Sequence, residues 1–206
     1  MGSRPRQSSR AAISASAEPG LVRRAPSLQS GAYSSDMNPT PPRLRRSPLR
    51  LKKAAGHVSY ELRMMSRAVE LLMEHIVRRD HDTVRLVLEA FLIHCRNLLD
   101  FFYAPPLVQE DDMIAEDLFT DAAVWAKVRP PLPADVRSSR TAVNKLVAHL
   151  SYRRRSYALP GWRWRVSLLH NHVIRCSKRL AKKLPPGRRA WVAVPRGPIF
   201  IEFNVH

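Results

Sequence analysis

Three clusters of side chains in this sequence have the types and spacing for chemistry. The first is Ile93-His94-Cys95-Arg96-Asn97-Leu98-Leu99-Asp100-Phe101-Phe102. On a helix it sets several polar groups beside an apolar seam. Arg96 and Asp100 have the spacing of a surface ion pair worth a few tenths of a kcal/mol. Asn97 borders the apolar stripe and needs a partner if buried. Polar seam residues of this kind can also serve only to fix helix register. The second cluster is Asp111, Asp112, Glu116 and Asp117. On a helix Asp112 and Glu116 share a face, where they could hold a divalent cation through waters. Acids in a first turn are also what the positive end of a helix dipole favours. A convergent ligand set is lacking, so neither a metal nor a cofactor is expected. His94 and His149 are the histidines placed to reach the interior, where a lone histidine on an apolar helix reads as a satisfied core residue.

The third cluster is Asn144-Lys145-Leu146-Val147-Ala148-His149-Leu150-Ser151-Tyr152. It resembles the Arg-Asn-x-x-Ala-His signature in the last core helix of the HEPN superfamily, small helical bundles that include metal-independent ribonucleases. The resemblance implies proton transfer by His149 and phosphate stabilisation by an arginine, chemistry suited to RNA cleavage. This chain departs from the signature, because Asn144 occupies the arginine position. The resemblance therefore leaves the phosphate to Arg140, nine residues before His149, or to Arg96 on another helix. Taken together, the segments at 96–101, 111–117 and 144–149 are similar to a family of small, functionally uncharacterised helical bacterial proteins. That similarity covers roughly residues 58–175 and implies fold more than activity.

The elements that must position these residues follow from apolar periodicity. Leu62, Met65, Val69, Leu72 or Met73, and Ile76 predict a helix near 58–79, with Arg78 and Arg79 suiting its C-terminal dipole. Asp80 to Asp82 then provide an N-cap for a second helix near 83–103. Its buried face is Val84, Val87, Leu88, Phe91, Leu92, Cys95, Leu98, Leu99 and Phe102, and Pro105-Pro106 stop it. A third helix is predicted from Asp111 or Asp112 to about Val128, with Ile114, Leu118, Ala122 and Trp125 inward. A fourth, capped by Ser138 or Ser139, carries Val143, Leu146, Val147 and Leu150. A fifth spans about 162–183. Trp191 to Val194 and Ile199 to Phe203 flank Pro195-Arg-Gly-Pro198 and are compatible with a short C-terminal β-hairpin. The expected fold is all-α, an antiparallel bundle of four to five helices over 57–184. A disordered Pro/Ser/Arg-rich tail is expected at 1–56 and a tail or hairpin at 185–206.

Charge is segregated along these parts. Residues 1–56 carry +9, residues 57–150 carry −3 and residues 151–206 carry +12, out of +18 overall. A slightly acidic, apolar domain flanked by cationic ends suits a polyanion-binding protein. In the last third, Arg153, Arg154, Arg155, Arg163, Arg165, Lys178, Arg179, Lys182 and Lys183 interleave with aromatics, notably Trp162 and Trp164. Cations beside aromatics suit single-stranded nucleic acid, through phosphate neutralisation and base stacking. The alternative is that the tryptophans anchor the fifth helix while the cations are merely solvated.

Cys95 and Cys176, each within a helical segment, read as reduced thiols in a cytosolic protein. The apolar run near the N-terminus is about four residues against the 7–15 of a secretory signal, so no export is expected. No run approaches the roughly 20 residues of a membrane span. The leading expectation is a non-catalytic protein that binds nucleic acid, RNA rather than DNA, through its basic C-terminal helix and tails. Two alternatives stand beside it. One is a HEPN-like ribonuclease of toxin–antitoxin type. The other is an interaction module, in which the acidic helix near 111–121 meets an acid-seeking partner surface: the basic helix of a second copy in a homodimer, while the basic helix itself could equally meet an acidic protein.

Overall fold

The computed structural model describes residues 45–105, 108–147 and 164–195. These form an all-α bundle of five α-helices, with no β-strand among the described residues. The helices are α1 (Pro48–Val77), α2 (His81–Phe102), α3 (Ala122–Val128), α4 (Ala134–Leu146) and α5 (Val166–Lys183). Two 3-10 turns, Ala115–Leu118 and Pro186–Trp191, complete the set.

The α1 helix starts ten residues before the predicted position. Ser47 caps it, its Oγ accepting from the Arg50 N–H at 3.3 Å, and Pro48 fits the first turn because it has no N–H to satisfy. Leu51, Ala55 and Val58 then extend the buried stripe towards the N-terminus. Residues 48–56 therefore belong to the bundle and not to the tail expected to reach residue 56; residues 1–44 lie outside the described residues.

The α1 and α2 helices form an antiparallel hairpin. Its turn is a Schellman motif: Asp80 N–H donates to His75 O at 3.0 Å and Arg79 N–H to Ile76 O at 3.1 Å. Arg79 sits at φ 57°, a left-handed position that glycine takes more cheaply. The Asp80 carboxylate caps α2 by accepting from Thr83 N–H at 3.1 Å.

Between α2 and α4 the chain departs from the predicted third helix. Residues 111–114 are not helical, and Phe119 is extended between the first 3-10 turn and α3. The acids explain the break, since they hold local backbone instead of lining one helix face. Asp112 accepts from Gln109 N–H at 2.7 Å, Asp117 from Ile114 N–H at 3.2 Å, and Asp121 caps α3. Ala122, expected inside, is exposed at the first position of α3. Trp125 is fully buried, its Nε1–H donating to Phe102 O at 2.9 Å.

The α4 helix starts at Ala134, directly after Pro133, and not at a serine cap. Ser139 lies inside it, its hydroxyl donating to Asp135 O at 2.9 Å. The α5 helix packs against all four others. That contact explains why its inner face buries Leu169, Val173, Ile174, Cys176 and Leu180. Of the suggested hairpin, the described part holds no strand: Trp191 ends a 3-10 turn and Val192 packs into the core. The second half falls outside the described residues. No described helix is long and apolar enough to cross a membrane.

Candidate phosphate cleft and cationic helix face

A cleft of about 640 Å³ opens between α2, α4 and the loop before the first 3-10 turn. From α2 it takes Arg96, Asn97, Asp100 and Phe101, positions that recur on one helical face. From α4 it takes Arg137, Arg140, Thr141 and Asn144, again one face. Pro105, Asp112, Met113 and Ile114 close it from the loop. Three of the four residues predicted for catalysis, Arg96, Arg140 and Asn144, thus meet in one place. His149 lies outside the described residues.

Asp100 organises the cleft. Its Oδ1 accepts from Arg140 Nε at 2.6 Å and lies 2.5 Å from Nη2, while Arg140 Nη1 donates to Tyr103 O at 3.2 Å. Arg96, the expected partner four residues away, stands further off, its Nε 3.5 Å from Oδ2. Asp100 is thus mainly neutralised by α4, across the bundle. The Arg96 Nε and the Asn144 Oδ1 are buried with no hydrogen-bond partner among the described residues. Buried polar atoms are usually paired, so these two lie in a polar seam between α2 and α4 whose hydrogen bonding is incomplete among the described residues. Asn97 finds its partner outside the cleft, donating to Glu61 Oε2 at 3.3 Å, and Glu61 also pairs with His94 Nδ1 at 2.7 Å. His94 is therefore half-buried against α1 and not in the core.

The histidines that do reach the core were missed. His170 and His172 on α5 are 1% and 4% exposed. His172 Nε2 lies 2.8 Å from the Tyr103 hydroxyl, which also reaches Pro130 O at 2.8 Å and Cys176 Sγ at 3.3 Å. Burial holds both imidazoles below their usual value. It pushes the Cys176 thiol up to about 11 and the Cys95 thiol up to about 12. Despite the cysteine–histidine contact, the sulfur stays a neutral thiol, because a reactive cysteine needs an exposed, electropositive setting. The available signal was the run of α5 positions 171, 175, 178, 179, 182 and 183. Assigning that polar run to solvent puts 170 and 172 inside.

That same run is the second candidate surface. Asn171, Arg175, Lys178, Arg179, Lys182 and Lys183 are all exposed and follow one another along one face of α5. Among the described residues none of these five cations has a carboxylate within ion-pair distance. Arg179 Nε donates to Val128 O at 3.1 Å, which ties the stripe to the end of α3. Arg165 differs from the others, since it is ion-paired with Asp135 of α4. Trp164 is half-buried against the core, in the anchoring role. Arg153, Arg154, Arg155, Arg163 and Trp162 lie outside the described residues.

The fold and these two surfaces define an all-α bundle with an arginine-lined cleft and a cationic helix face. Among known proteins, no family model, no curated protein and no solved structure matches the chain.

Proposed function

We propose that this protein binds single-stranded nucleic acid, RNA in preference to DNA, along the outer face of α5. The observation that carries the reading is the unbroken run of five exposed cations from Arg175 to Lys183 with no described carboxylate beside them. A rigid helix holding unpaired cations at three- and four-residue steps presents a linear array to a phosphate backbone. The +12 segment that contains α5 supplies long-range attraction as well. Salt-titrated binding to single-stranded RNA and DNA tests this. Each phosphate contact should contribute about 0.7 to the slope of log K against log salt. Affinity indifferent to ionic strength contradicts the reading.

A second reading, RNA cleavage, is favoured by one specific observation: Arg96, Arg140 and Asn144 converge on one cleft. In this reading Arg96 holds the phosphate, since Arg140 is engaged by Asp100 and Tyr103 O, and His149 transfers the proton. Cleavage undiminished in His149→Ala, or no cleavage by the unaltered protein, removes it. For the self-association reading, the acids of residues 111–121 stand on turns and a 3-10 helix and not on the continuous helix expected.

A further inference from the structure

We propose that residues 199–203, Ile-Phe-Ile-Glu-Phe, dock on their own chain along α1, in a groove that the residues just before them help to form. The groove holds about 520 Å³. One wall is the face of α1 from Ser59 to Glu70, and the other is Ala193 to Pro195. No residue of α5 lines it, so the proposal does not rest on RNA binding by the α5 face.

The chain is led to this groove by a polar clamp. Ser59 Oγ accepts from Ala193 N–H at 3.0 Å and lies 3.4 Å from Trp191 O. Val192, between those two residues, is buried in the core. A side chain of α1 thus holds the backbone that a hairpin would have paired with a second strand. Pro195, where the described residues end, is already part of the groove wall. Only Arg196-Gly197-Pro198 separates it from Ile199. A tether that short gives the segment an effective concentration in the millimolar range, which a second copy or a separate peptide at micromolar concentration does not match.

Length and chemistry both fit. From Ser59 to Glu70 a helix rises about 16 Å, and five extended residues span about 17 Å. In an extended segment Ile199, Ile201 and Phe203 share one face. That face suits Met64, Val194 and Pro195, the apolar side chains of the groove. Glu202 falls on the other face, and it is the only carboxylate side chain after Asp135 in the sequence. At the rim, Arg67 is paired with Glu70 at 2.7 Å. Arg63 is exposed, its guanidinium over the Tyr60 ring at 5.8 Å, with no carboxylate within ion-pair distance among the described residues. Arg63 is therefore the cation left for Glu202.

The test is the rate of disulfide closure in Met64→Cys/Ile201→Cys, made in the full chain and oxidised at micromolar concentration. Cys95 and Cys176 are buried and take no part. Closure should occur within one chain, seen as a faster-migrating monomer in a non-reducing gel. Adding Phe203→Asp should slow it about ten-fold, the cost of losing one buried phenylalanine. Thiols that merely collide through the tether would not respond. Arg63→Glu should slow closure about two-fold, as for an exposed ion pair, and Glu202→Arg in the same chain should restore it. Met64 is half-buried and Arg63 exposed, so neither change reaches the core. A rate indifferent to Phe203→Asp, or disulfides formed only between two copies, overturns the proposal.

Discussion

The α2–α4 cleft and the outer face of α5 use the same residue types in opposite ways. In the cleft, Arg140 is 16% exposed and locked to Asp100 by two guanidinium nitrogens. On α5, five cations stand in solvent with no described carboxylate beside them. A paired, half-buried charge is costly to desolvate, and its partner makes it structural. An unpaired, exposed charge contributes almost nothing to folding, and its field remains available to a ligand. Geometry is thus the property of the cleft, and electrostatic reach that of the helix face.

The largest expected effect comes from breaking the cleft's central pair. Asp100→Ala leaves Arg140 half-buried without its counter-ion and should cost about 2–4 kcal/mol in urea denaturation. Lys182→Ala on α5 should shift the same measurement by less than about 0.5 kcal/mol. Equal costs would erase the distinction between the two regions.

The inner face of α5 gives the next effect. Tyr103→Phe removes the hydroxyl that joins His172, Pro130 O and Cys176, and should cost about 1–3 kcal/mol. A pH series of denaturation curves examines the same network. His170 and His172 are held below their usual value by burial, so above about pH 6.5 both are neutral whether the chain is folded or not. Below that pH the unfolded chain takes up protons that the fold refuses, so stability should fall as the solution is acidified. His172→Gln should flatten part of that decline. A fold equally stable at pH 7.5 and 5.5 would show these histidines to be solvated.

Smaller effects sharpen the comparison. Arg79→Gly relieves the left-handed position between α1 and α2 and should raise stability by about 0.5–1 kcal/mol, with no change in RNA affinity. Asp135→Asn releases Arg165 from its ion pair and should steepen the salt dependence of RNA binding by at most about 0.7 in slope, one additional contact. A slope left unchanged would confine the nucleic-acid surface to Arg175–Lys183.

What the sequence made legible follows the range of each interaction. Apolar stripes repeat locally, so α1 and α2 and most of their buried residues could be read from spacing alone. Helix starts were misplaced where short polar residues had two uses. Asp112 and Asp117 hold turns where first-turn acids of a helix were expected, and Ser139 bonds back to Asp135 O within α4 where a cap was expected. The cleft residues Arg96, Asp100, Arg140 and Asn144 were identifiable as chemistry-bearing. The bond that orders them spans 40 positions, from Arg140 to Asp100, and no periodicity reports it. Glu61 as the partner of His94 was hidden for the same reason, 33 positions away on the other arm of the hairpin.

Binding of nucleic acid along the outer face of α5 is open to one direct measurement. Photo-crosslinking of the full chain to thiouridine-substituted single-stranded RNA, followed by peptide mapping, tests it directly. Crosslinks should fall on peptides carrying Arg175 to Lys183 and diminish as salt is raised. Crosslinks confined to other segments, or none in low salt, would contradict it.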